Sequence, residues 1–227
     1  MAHTNALGID AYLDLIRAYP HLIHDPDHQL PVVTDKDILL EQQEILYRNA
    51  DSKGRPRVWY DLGIVAQDAW VVVLRDLVQF PNGTYGGYTR LLNRRSQIER
   101  SGKDVVVLVT VEDKVLLMKH FRHDDRRWHW ECPRGFGEAG LSPDENARKE
   151  VREETNLDIL ELQQLNGSGE QIAYFRALCR GTAENHDCLE SIDSYLLVDS
   201  DALKQMLVNG QVSDPYTVRA IMLASLK

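Results

Sequence analysis

No stretch of this 227-residue chain comes near the ~20 consecutive apolar residues that a membrane-spanning helix requires, so no membrane role is expected. Cysteine is scarce. Cys132, Cys179 and Cys188 are odd in number and lack metal-ligand spacing, which argues against both a disulfide framework and a zinc site. Positive charge is short as well, with 26 Lys and Arg against 35 Asp and Glu, a formal net charge of −9. Proteins that live on nucleic-acid phosphates draw affinity from a basic face, so no nucleic-acid partner is expected. Repeats and low-complexity tracts are lacking. The opening MAHTNALGID has neither the basic nor the apolar region of a signal peptide, and cytoplasm is the expected location. What remains is an ordinary soluble composition, 43% apolar and 27% charged, with length for one generous domain or a compact domain with an appendage. An acidic protein handling an anionic substrate needs something to neutralise both, and a divalent cation is the candidate.

Residues 1–58 read as a helical or irregular extension. Ile9, Tyr12, Leu13, Leu15, Ile16 and Ala18 give a short amphipathic pattern ending at Pro20, and DKDILLEQQEILYRN (35–49) gives a second. From about Trp59 the texture turns to strands. AWVVVLRDLVQF (69–80), the turn PNGTYGG and YTRLL read as a hairpin. VVVLVTVEDKVLLMKHF (105–121) is strand, acidic turn and strand, followed by a Gly-rich loop, a helix, strands at 171–179 and 191–198, and a closing helix from about 201. Strands mixed with helices, without regular alternation, predict an α+β fold with a mixed-sheet sandwich over 59–227.

The most informative segment is GFGEAGLSPDENARKEVREETNL (135–157). Its spacing predicts a helix over 143–155: Ser142 as N-cap, Pro143 in the first turn, Glu145 completing a capping box, and Asn156 taking the left-handed exit. Glu150, Glu153 and Glu154 are three or four apart and share one face, while Ala147 and Val151 mark the face turned inward. Crowded carboxylates repel, and hard oxygen ligands converging in this way suit Mg2+ or Mn2+. Taken alone, EVREE is more often a solvated acidic face. The Gly-rich stretch before it reverses those odds.

The segment resembles a Nudix box, G-x5-E-x7-R-E-U-x-E-E-x-G-U with U a bulky aliphatic. Gly135 opens it, Glu150, Val151, Glu153 and Glu154 match its core, and Leu157 closes it. Three positions depart: Leu141 stands for the first Glu, Lys149 for Arg and Asn156 for Gly. Leu141 deletes a carboxylate, and Glu138, three residues earlier, is the candidate to compensate. The resemblance implies an αβα sandwich whose helix glutamates hold Mg2+ or Mn2+ against a diphosphate. It implies Glu150 and Glu154 as direct ligands, Glu153 as shared or water-mediated, and the main-chain carbonyl of Arg134 as a further ligand.

The surroundings resemble the ADP-ribose and nucleotide-sugar pyrophosphatase branch, where a strand ending in an aromatic-Arg pair (Phe121-Arg122) precedes Glu-x-Pro-x-Gly (Glu131 to Gly135). By that match Arg122, Glu131, Arg134 and Gly135 line the substrate pocket. The implied activity is hydrolysis of the diphosphate in a small nucleoside diphosphate derivative. The branch also implies a homodimer. The segment NGSGEQIAY lacks the proline that ADP-ribose enzymes often carry there, so the sugar stays open. Glu190 is the best positional match for a general base, with Glu184 and Glu170 behind it, and an ordinary surface carboxylate is an equal reading of Glu190. His120, His123 and His129 read as histidines near phosphate or simply exposed. One of Trp128 and Trp130 is expected in the core and the other free to stack on a base. A nucleotide sensor without turnover is the alternative function, favoured by Leu141 and Lys149 and opposed by the retained glutamate trio.

Overall fold

The computed structural model describes residues 6–25, 27, 29–167, 169, 171–184 and 191–225. The chain divides into two compact units, Met1–Glu99 and Arg100–Lys227.

In the first unit the two amphipathic stretches form α1 (Ala6–Ala18) and α2 (Lys36–Ser52). Asp35 caps α2, its side chain accepting the backbone N–H groups of Asp37 and Ile38. The strands β1 (Gly63–Gln67), β2 (Val71–Gln79) and β3 (Tyr85–Asn93) make an antiparallel sheet in that order, with β2 and β3 forming the expected hairpin. Sequence texture changes near Trp59, yet these strands share a unit with the helices before them. Tyr12 and Ile16 of α1 pack with Val72, Leu74 and Leu92, and the Tyr12 hydroxyl donates to the buried Asp76 at 2.8 Å. Arg90 closes the same carboxylate from β3.

The second unit contains β4 (Asp104–Val111), β5 (Lys114–Arg122), β6 (Arg127–Glu131), β7 (Arg134–Gly135), α3 (Pro143–Thr155), β8 (Asp158–Gln164), β9 (Ile172–Arg180), β10 (Ile192–Val198), α4 (Ser200–Val208) and α5 (Pro215–Ser225). The sheet runs β10-β5-β4-β9-β8, parallel between β4 and β9 and antiparallel elsewhere, which is the mixed sheet expected. β4 and β5 pair only where Thr110 and Val111 meet Val115 and Lys114. Beyond that β7 lies beside Val105 and Val106 of β4, and β6 beside Met118 to Arg122 of β5. Alternation of side chains then divides the core. Val105, Val107, Val109 and Leu116 meet Ala147 and Val151 of α3, whereas Val106, Leu108 and Leu117 meet Leu203, Met206 and Ala220 of α4 and α5. The result is the αβα sandwich.

Two details differ from the sequence reading. The single closing helix is two, because Gly210 turns with φ +70 and Asp214-Pro215 starts a new helix. The strand β8 escaped notice because DILELQQ is half polar, as suits a strand at the end of the sheet.

Candidate active site

The helix α3 forms over the span its caps predicted. Ser142 and Glu145 make the capping box, Pro143 starts the helix, and Asn156 exits at φ +57. Glu154 is only 3% exposed, and its Oε2 accepts the backbone N–H of Arg134 at 3.0 Å. Gly135 lies against Glu150 so closely that a Cβ there would stand 2.0 Å from the carboxyl carbon. The two residues of β7 thus cross the helix face that carries Glu150 and Glu154. Pairing parity aims the remaining backbone group. Val107 N–H donates to the Pro133 carbonyl at 2.9 Å, so the intervening Arg134 turns both its N–H and its C=O away from β4, toward α3.

Glu153 occupies a different position. Its Oε2 meets Lys149 Nζ at 2.8 Å, and the same ammonium meets Glu138 Oε1 at 2.9 Å. The contact with Glu153 and the second carboxylate hold the Lys149 amine well above the usual lysine range. Glu150 and Glu154 therefore gather beside β7, while Glu153 turns along the helix to Lys149.

The residues expected to line a substrate pocket also come together. Glu131, 1% exposed, takes the Arg122 guanidinium on both oxygens, with Nε 2.9 Å from Oε2. Arg134 Nε approaches the same carboxylate at 3.4 Å. Burial pushes the Glu131 carboxyl up, but the two guanidiniums outweigh it and hold it below the usual carboxylate range. Arg134 then reaches Asp214 at 3.5 Å and stacks over Tyr216, its guanidinium 4.8 Å from the ring centre. Asp214 is fixed in turn by the N–H and hydroxyl of Thr217, and that hydroxyl accepts the Cys132 N–H.

Strand parity sorts the remaining candidates. His120 and His129 are cross-strand partners. His120 is buried rather than exposed, and burial, helped by the nearby Arg122, brings its pKa down to about 4. It is held neutral in the fold and charges more readily in the unfolded chain, which binds more protons from about pH 6.5 down to 4. Stability should therefore fall as pH drops through that window. In urea titrations at pH 7 and pH 4.5, His120→Gln should show a smaller loss than the parent chain, and an equal loss would remove His120 as the cause. His123 meets Arg126, and His129 meets Asp125 at 2.8 Å. Trp130 packs against the core beneath α4 and α5, and Trp128 is exposed on the same face of β6, opposite that of Glu131, edge-on to Phe121. Glu170 and Glu190 lie outside the described residues. The Glu184 N–H donates to the Thr155 carbonyl, next to Glu154, and its side chain is exposed.

Several contributors were missed in the sequence. Asp104 accepts the Gly137 N–H at 2.8 Å, and Gly102 and Gly137 meet so closely that neither has room for a Cβ. The buried Asn146 donates to the carbonyls of Phe136 and Lys103. Phe136 itself is 61% exposed on this clasped loop. Tyr195 donates its hydroxyl to the Glu154 carbonyl. Asp214 with Pro215 was legible as a helix start, whereas the others join residues far apart in the chain with no local signal.

Among the described residues, no group of three or more His, Cys, Asp or Glu side chains could by itself hold a metal ion. Mg2+ commonly uses one or two carboxylates, keeps waters and shares the substrate's phosphates. Glu150, Glu154 and the Arg134 carbonyl, all hard oxygen donors on one side of β7, fit that demand.

A mixed-sheet αβα sandwich with a glycine-led acidic loop-helix defines the class. Residues 100–210 match the family model of the NUDIX domain. The fold is similar to the crystal structure of an ADP compounds hydrolase, with a TM-score of 0.55 and 17% identity, covering 73% of this chain and 90% of that one. No curated protein matches the chain.

Proposed function

We propose that this protein is a Mg2+- or Mn2+-dependent NUDIX pyrophosphohydrolase. Its substrate is a small nucleoside diphosphate derivative, ADP-ribose or a nucleotide-sugar. The products are a nucleoside monophosphate and a sugar phosphate. One observation carries the reading: β7 sets Arg134 N–H on Glu154 and the Gly135 backbone against Glu150, beside two guanidiniums that share Glu131.

A divalent cation held by Glu150, Glu154 and the Arg134 carbonyl, with Glu153 near enough to act through water, would neutralise phosphoryl charge and acidify a bound water. The remaining work falls to the protein. Arg122 and Arg134, braced by Glu131 and Asp214, bind and orient the diphosphate. A water oxygen joins phosphorus, the bridging P–O bond breaks, and the sugar phosphate departs. Glu190 is the residue we assign to take the proton from that water, with Glu184, whose N–H donates to the Thr155 carbonyl of α3, and Glu170 as the runners-up. The homodimer of the pyrophosphatase branch is supported by exposed Trp59, Trp70, Tyr88 and Leu91 on the first unit. A cytoplasmic setting and a small nucleotide partner, rather than nucleic acid, agree with the acidic balance; no described helix is long and apolar enough to cross a membrane.

The test is product identification across a panel of ADP-ribose and nucleotide-sugars with Mg2+ or Mn2+. AMP or another monophosphate should form. Glu150→Gln and Glu154→Gln should each lower kcat by more than about 100-fold, since even residues that only support metal ligands cost 10–100-fold. Tight binding of a panel member with no turnover would replace the enzyme by a sensor.

A further inference from the structure

Lys149 is held from two directions. Glu153, one turn along α3, and Glu138, from the loop between β7 and α3, each place a carboxylate oxygen within 2.9 Å of its Nζ. The chain has lysine where the box carries arginine and leucine where the box carries its first glutamate. The ammonium, a compact charge with three rotatable donors, serves both carboxylates from their different segments. The loop that carries Glu138 is fixed on its other side. Gly137 N–H is bound to Asp104, its backbone lies against Gly102 and Lys103, and the Phe136 carbonyl accepts from Asn146. Glu138 therefore leaves the backbone from a defined place beside the first half of α3.

We infer that Glu138 is a positioning residue that supplies, from three residues upstream, the carboxylate missing at Leu141. By sharing Lys149 it keeps that ammonium from neutralising Glu153 alone, and it ties the loop to the helix that carries Glu150 and Glu154. The inference rests on the reading of this helix face as a divalent-cation site. It concerns the electrostatics around that face, since Lys149 and Glu138 are not themselves placed among the ligands.

Titration with Mn2+ alone, following the free ion by electron paramagnetic resonance, separates the possibilities. Glu138→Gln leaves Lys149 paired only with Glu153, and the Mn2+ Kd should rise about three- to tenfold, the size expected for one charge lost a few ångström from the ligand set. Glu138→Asp, which keeps the charge, should stay within about twofold of the parent. Leu141→Glu added to Glu138→Gln should restore the parent affinity. A purely structural contact would shift thermal unfolding and leave the Mn2+ affinity of the folded variant alone. An unchanged Kd in Glu138→Gln, or no recovery on adding Leu141→Glu, overturns the inference while Mn2+ uptake that is lost in Glu150→Gln leaves the site reading intact. Equal uptake by the parent chain and Glu150→Gln removes the site reading and this inference together.

Discussion

Gly135→Ala should lower kcat by at least about 100-fold in a protein that still folds. The added Cβ would fall 2.0 Å from the Glu150 carboxyl carbon and 2.1–2.4 Å from its oxygens, distances that side chains never tolerate. The atoms it meets are the far end of a flexible side chain, so the collision is relieved by swinging the Glu150 carboxylate away from β7 rather than by unfolding. Glu150 is then displaced by an ångström or more from the place shared with Glu154 and the Arg134 carbonyl. A misplacement of that size, even far from the reacting atoms, can cost about 100-fold in rate. Three measurements check it together: kcat on the best substrate of the panel, Mn2+ affinity, and the thermal midpoint. Rate and affinity should both fall while the midpoint moves by only a few degrees. Parent-like turnover would mean that the carboxylate pressed on Gly135 takes no part in the chemistry.

The second large effect lies at Glu131. Its carboxylate is almost wholly buried and carries two guanidiniums, Arg122 in a fork and Arg134 at longer range. Glu131→Ala leaves those cations without their counter-charge in the interior. Breaking a buried pair by deleting one partner costs about 3–5 kcal/mol, and the guanidiniums here keep about a quarter of their surface in water, which places the expected loss near 3 kcal/mol. The functional cost is separate. Arg122 and Arg134 lose the carboxylate that fixes their orientation toward the pocket, so KM for the diphosphate substrate should rise at least about tenfold, with kcat falling as well. Urea unfolding gives the first number and steady-state kinetics the second. A variant as stable as the parent, with an unchanged KM, would show that Glu131 neither braces the fold nor organises the pocket.

The helix that carries the site was legible residue by residue. Its start, its end and its inward face follow from Ser142, Glu145, Asn156, Ala147 and Val151, because capping and periodicity are local and operate within a few residues. The glycine-led spacing around Glu150 and Glu154, and the pair Arg122 and Glu131, were legible as a pattern. The clasp of Asp104 on Gly137, the Tyr195 hydroxyl on the Glu154 carbonyl and the seat of Arg134 between Asp214 and Tyr216 were not, since each joins segments tens of residues apart. His120 shows the same limit from another side. Its burial follows from its strand parity beside Met118 and Leu116, which shows only once β6 and β10 are in place.

The sequence by itself determined most of the elements and the chemical identity of the groups: which residues form α3, that one face of it carries carboxylates, and that a Gly-rich loop precedes it. Tertiary structure alone decided how those carboxylates are divided. Glu150 and Glu154 go to β7, and Glu153 goes to Lys149 and, through it, to Glu138. The physical reason is that helix periodicity fixes only the angle at which a side chain leaves its own helix. What that side chain meets is set by the strand and loop that other, distant residues bring against it.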